Sequence, residues 1–261
     1  MQARMLPAQR GWAWIFDGFS LWRRNPALIT FLVFGCSLCL LLIAAVPLIG
    51  QVIMSLVMPA LSLGIFNGCK AVAERRKAGP DILLSGFRQN LPELVKIGGL
   101  YLAGTLAVMG ISLLIDGEMN TKLSKAMLGR TSWGETLDDP TFTLALLVAT
   151  IGSTPLMMAY WFAPLLAGWG RVSAVKAMFF SFVACWRNWR AFLAYGIGLM
   201  LTVMVPGLLI GLLGLISPIL SALPAIALPL VFIPVVFASF YANASDVFGQ
   251  IAPEPVADEP A

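Results

Sequence analysis

Most of this chain shows neither a helical stripe nor a two-residue alternation; it is continuously apolar over long stretches. A helix needs about 20 apolar residues to cross a hydrocarbon core ~30 Å thick. Six runs approach or reach that length, at residues 27–46, 51–67, 95–115, 142–164, 192–215 and 223–241. Lys96 is the one charged residue inside them, near the start of the third run. Pro206, Pro218, Pro224, Pro229 and Pro234 interrupt the last two, which makes them proline-broken spans. The pattern predicts an all-α polytopic membrane protein with six transmembrane helices. Residues 1–245 form one transmembrane domain, and residues 246–261 form a disordered acidic tail carrying Glu254, Asp258 and Glu259.

Between the long runs the pattern becomes amphipathic. Residues 11–25 place Trp12, Ile15, Phe16, Phe19 and Trp22 at helical spacing on one face. Residues 173–190 repeat the design with Val175, Met178, Phe179, Phe182, Trp186 and Trp189, and residues 81–91 give a shorter version with Leu84, Phe87 and Leu91. Such helices lie in the headgroup plane, apolar face down. Each segment closes on an aromatic residue, arginine and asparagine: Trp22-Arg23-Arg24-Asn25, Phe87-Arg88-Gln89-Asn90 and Trp186-Arg187-Asn188, the last running on into Trp189 and Arg190. The ring suits the interface and the guanidinium reaches lipid phosphate. Asn25, Asn90 and Asn188 are the expected caps of the helices that follow. Pro26 fits the first helical position, where no donor is lost. Pro59, Pro164 and Pro234 stand near the same end of spans two, four and six. These parallels predict three repeats of interfacial helix plus two spans, at about 8–70, 80–172 and 173–245. Units of one handedness would surround an axis along the membrane normal, as in parallel transporter repeats.

Composition agrees with this reading. Hydrophobic residues make up 59% of the 261 residues and charged residues 11%, against about 25% charged in soluble domains. Of the 17 Lys and Arg residues, 14 fall on the side of the N-terminus; Lys122, Lys125 and Arg130 fall on the other, among five acids. The positive-inside rule therefore predicts cytoplasmic N- and C-termini in a bacterial inner membrane, with the first span an uncleaved signal anchor. Anionic lipid is the expected partner of the basic face, ahead of nucleic acid, because the cations flank membrane spans.

The chemistry-bearing residues are few. There is no histidine, and Cys36 and Cys39 form a C-x-x-C inside an apolar run, where a thiolate is disfavoured. No metal, cofactor or enzymatic site is expected. Ser153, Thr154 and Pro155 in span four read as a polar kink, with a weak polar site as the alternative. Ala60, Gly64 and Gly68 in span two, and Gly207 and Gly211 in span five, are spaced for close helix contacts. The loop at 116–140 is expected to carry a short surface helix through Met119, Leu123 and Met127, a capping box at Ser132 and Glu135, and a cap at Asp139.

The runs Gly11-Trp12-Ala13-Trp14, Asn25-Pro26-Ala27-Leu28, Tyr160-Trp161-Phe162-Ala163-Pro164 and Cys185-Trp186-Arg187-Asn188-Trp189-Arg190-Ala191-Phe192 resemble those of an uncharacterised family of proteobacterial multi-pass inner-membrane proteins. The resemblance covers most of residues 8–245. More loosely, the helix-plus-two-spans unit is similar to the membrane domain of some glycerophosphodiester phosphodiesterases, whose soluble catalytic domain has no counterpart here. The resemblance implies location and architecture, not a mechanism. Two functions follow as expectations: a non-enzymatic protein that organises lipids or partner proteins, or a transporter or channel for a neutral or lipophilic solute.

Overall fold

A computed structural model describes residues 3–47 and 49–249. Those residues form helices and connecting turns, with no strand among them. The elements run α1 (Gln9–Arg24), α2 (Pro26–Ala44), α3 (Ile49–Ala73), a 3-10 helix (Pro80–Arg88), α4 (Leu91–Ile115), α5 (Met119–Met127), α6 (Trp133–Leu137), α7 (Pro140–Trp161), α8 (Ala163–Gly170), α9 (Ala174–Arg187), α10 (Trp189–Ile216) and α11 (Pro218–Phe248). Six helical stretches are long and apolar enough to span a membrane: α2, α3, α4, α7 with α8, α10 and α11. They coincide with the six apolar runs.

Three differences from the sequence reading have physical causes. The prolines of α10 and α11 do not break them; both helices are continuous through Pro206 and through Pro224, Pro229 and Pro234. A spanning helix tolerates proline because breaking it would expose further backbone groups to hydrocarbon. Span four does break, at Phe162, where α7 passes into α8. Second, the middle amphipathic segment is a 3-10 helix, stabilised by Ser85 Oγ donating to Ile82 O. Third, α11 continues to Phe248, so residues 246–248 are helix rather than tail. The acids Glu254, Asp258 and Glu259 lie outside the described residues.

The spans form antiparallel hairpins, α2 with α3, α4 with α7 and α10 with α11. The basic-end segments lock these hairpins together in cyclic order. Helix α1 packs on α11 and α10, the 3-10 helix packs on α3, and α9 packs on α7 and α8. Each rests on the hairpin that precedes it in the cycle. Small residues make this possible. A methyl group on Gly18 would collide with the Ser239 backbone, one on Gly11 with Ala191 O, and one on Gly86 with Ala60 O. In α9 the buried face is Ala174, Ala177, Ser181, Ala184 and Cys185. Without a hydrophobic drive between helices in lipid, such close approach is what holds them.

The two largest core clusters lie at the basic end. All three hairpins converge there on aromatic rings. Trp161 stacks on Phe240 at 4.1 Å between centroids, Phe66 meets Phe240 at 5.7 Å, and Trp14 meets Phe192 at 5.5 Å. At the opposite end, among the described residues, Met119, Phe142 and Ala145 form a small cluster. Gly207 and Gly211, expected to mediate close packing, face open space instead. Alanine at Gly86 should therefore cost about 1–3 kcal/mol through overpacking. Alanine at Gly211 should leave stability unchanged. Thermal unfolding in detergent, read separately for each variant, checks the contrast.

The loop between α4 and α7 follows its expected caps. Ser132 Oγ accepts from Glu135 N while Glu135 reaches back to Ser132 N, and Asp139 Oδ1 accepts from Thr141 N at 2.9 Å. Lys122 on α5 bridges Asp116 at 2.9 Å and Asp139 at 2.6 Å. This bond to Lys122, with help from Thr141, holds the Asp139 carboxyl well below the usual aspartate range. A depressed carboxylate contributes stability above its unfolded value of about 3.9 and loses it as pH falls towards the folded value. Hydrogen exchange across residues 119–137, corrected for intrinsic rate, should thus stay constant from neutral pH down to about 5 and rise only below about 4. Lys122→Met should raise it at neutral pH.

Candidate functional site

The basic end carries the polar surface. Helix α1 has two apolar faces. Trp14, Ile15 and Leu21 are buried against the spans, whereas Trp12, Phe16 and Phe19 point away from the protein. The expected single stripe is thus divided, with Ile15 on the inner side. In α9 the division is cleaner: Val175, Phe179 and Trp186 are exposed and the small residues are buried. Trp189 is exposed at the start of α10. Trp22 is half-buried, its indole donating to Thr30 Oγ1 at 3.1 Å, and Phe87 is half-buried between the core clusters. Arg23, Arg24, Arg88, Arg187 and Arg190 are all exposed. Arg23 lies over the Phe19 ring and Arg190 over the Trp189 ring, at 5.9 and 5.5 Å.

One of the three asparagines is a cap. Asn25 Oδ1 accepts from Leu28 N at 3.1 Å, with Pro26 at the first helical position. Asn90 is left-handed, φ +51°, and its side chain donates to Ala167 O at 2.9 Å. Its capping role is lost because Pro92 brings no donor and the Asn90 carbonyl already serves Glu93 N and Leu94 N. Asn188 joins α9 to α10 with the backbone bonds nearly continuous. Its buried side chain is therefore free to act elsewhere. It accepts from Leu6 N and donates to Arg4 O, both at 2.9 Å, pinning the segment before α1.

A carboxylate at the end of α11 fixes α1 itself. Asp246 Oδ2 accepts from Arg10 Nε at 2.7 Å and from Trp14 Nε1 at 2.9 Å. Asp246 and Trp14 were not expected to act. Trp14 was legible in principle, since Gly11 and Gly18 flank it at helical spacing. Asp246 was not, because its partners stand more than 230 positions away.

Two depressions open on the basic end. One, of about 590 Å³, is lined by Arg24, Asn25, Val72, Arg75, Arg76, Lys77 and Ala78. The other, of about 520 Å³, is lined by Lys70, Arg88, Gln89, Asn90, Gly168, Trp169 and Arg171. Neither lining includes a carboxylate. Lys70 sits 4.9 Å above the Trp169 ring. The two are built by α3, the segment after it, and the ends of α1, the 3-10 helix and α8. Sequence reasoning counted their cations but could not bring Lys70, Arg88 and Arg171 together.

Nothing comparable forms around Ser153, Thr154 and Pro155. Thr154 Oγ1 bonds back to Thr150 O at 2.8 Å, and α7 runs unbroken past Pro155. The break falls seven residues later, at Phe162, whose N–H donates to Ser181 Oγ at 2.8 Å. Ser181 in turn donates to Met158 O at 2.7 Å, satisfying backbone groups at the break. Burial pushes the neighbouring Cys185 thiol up to about 12, where it is unreactive at neutral pH.

A "probable inner membrane protein" of Burkholderia thailandensis is 33% identical over 261 residues, covering 97% of this chain and 96% of that relative. The chain belongs to its family. It is a multi-pass inner-membrane protein, as its six spans require. No protein-family model matches the chain, and no solved structure matches it.

Asn188→Ala should release the segment before α1. It removes the part-buried bonds to Leu6 N and Arg4 O, a loss of about 0.5–1.5 kcal/mol for each. Limited proteolysis should then cut around Arg4 at least several-fold faster than in the wild type.

Proposed function

We propose that this inner-membrane protein organises anionic lipids on the cytoplasmic leaflet and does no covalent chemistry. The observation that carries the reading is the basic end itself. Exposed aromatic faces on α1 and α9 lie beside five exposed arginines and two carboxylate-free depressions. Juxtamembrane cations attract anionic lipid by about 1 kcal/mol each. The 14 to 3 division of Lys and Arg supports a cytoplasmic position for this end and for both termini.

The cyclic packing of α1, the 3-10 helix and α9, each on the preceding hairpin, supports three units of one design around a common axis. The rings of Trp14, Phe66, Trp161, Phe162, Phe192 and Phe240 meet where all three hairpins converge. That favours an organising scaffold over a conducting one.

Replacing Arg23, Arg88 and Arg187 together with glutamine removes one cation from each unit. Anionic lipid retained through purification should fall sharply, roughly 100-fold in apparent affinity. Reporters at positions 125 and 220 should both read the periplasmic side. An unchanged lipid complement in the triple variant, or a cytosolic signal at 125, would overturn the reading.

A further inference from the structure

We propose that the depression formed by Lys70, Arg88, Gln89, Asn90, Trp169 and Arg171 is a discrete site for the phosphate headgroup of one anionic phospholipid. The site rests on the lipid-organising reading and makes it specific: a single bound anionic lipid, distinct from a diffuse lipid shell.

Charge is the first argument. Lys70, Arg88 and Arg171 all line one open depression of about 520 Å³. Among the described residues none of the three pairs with a carboxylate, whereas Arg10, Arg76, Lys96 and Lys122 do. Three like charges held together repel one another until an anion enters.

The second argument is that the site is built rather than accidental. Three separate segments form it and each is tied down. Trp169 Nε1 donates to Asn67 Oδ1 at 2.7 Å, and Asn67 Nδ2 donates to Ser85 Oγ at 2.7 Å. This fixes the ring beneath Lys70. Asn90 is tied to Ala167 O. Among the described residues the non-glycine positions with positive φ are Arg75, Asn90 and Arg171, and two of these line this one cavity. Both stand at helix ends, where a left-handed residue turns the chain, and they fix the course of the backbone along the rim.

The third argument concerns the source of the anion. Lys70 lies in the last turn of α3, and Gly168 and Trp169 lie at the end of α8. The cavity therefore opens where spans leave the bilayer, which favours a lipid over a water-soluble ester.

Native mass spectrometry of the full chain in zwitterionic detergent tests this with phosphatidylglycerol, phosphatidic acid and phosphatidylcholine as probes. The wild type should hold one anionic lipid, phosphatidylglycerol or phosphatidic acid, in preference to phosphatidylcholine. Lys70→Gln with Arg171→Asn should weaken it about tenfold or more; asparagine keeps a residue that tolerates the left-handed backbone. Lys70→Arg alone should retain binding. Arg24→Gln with Lys77→Gln removes the same charge from the neighbouring depression and should change binding less than about twofold. Equal weakening by the two double variants would reduce the effect to general charge and overturn the site. Displacement by deacylated glycerophosphoglycerol at the same concentration as the lipid would overturn the lipid source. Arg23 and Arg187 stay intact throughout, so failure here with an unchanged total lipid complement removes this site and not the broader reading.

Discussion

Helices in a bilayer gain nothing by hiding apolar side chains from one another, because lipid tails are equally apolar. Something else must hold six spans together. In this protein it is close backbone contact between small residues, reinforced by a few buried hydrogen bonds. Gly18 against Ser239, Gly86 against Ala60 and Gly64 against Leu83 bring α1 and the 3-10 helix into direct contact with the spans. Ser181, Asn188 and Asp246 add bonds between distant segments at the same end. The architecture is consequently lopsided, with the protein core concentrated at the basic end and the other half of the spans turned largely to lipid.

That concentration has an electrostatic consequence. A rigid end can hold cations where flexible loops could not. The αL backbone of Arg171 and the stack of Lys70 on Trp169 place charges that would otherwise spread apart in water. Four of the acids described at this end are engaged elsewhere: Asp17 and Asp246 hold Arg10, Glu93 holds Lys96 and accepts from Ala174 N, and Glu74 holds Arg76. These acids and the unpaired cations thus separate, leaving two depressions without a carboxylate in their lining.

The aromatic residues divide in a related way. Trp12, Phe16, Phe179 and Trp186 turn outward, while Trp14, Phe162 and Tyr195 are fully buried. Tyr195 satisfies its hydroxyl with Ser239 at 2.6 Å, as a buried phenol must. Rings that look interchangeable along the chain therefore divide between the outer surface and the protein interior.

The sequence by itself determined the number of spans, their approximate limits, the basic and acidic ends, and the local caps at Asn25, Ser132 and Asp139. Each follows from composition or from bonds made within a few residues. Only the tertiary structure decided that Asn90 and Asn188 tie distant segments instead of capping, that Gly86 is crowded while Gly211 is open, and that Lys70, Arg88 and Arg171 share a cavity. A glycine or a cation carries no record of its neighbour across the fold. In a membrane, where every buried stretch is apolar, hydrophobic pattern distinguishes bilayer from water but cannot distinguish lipid from protein.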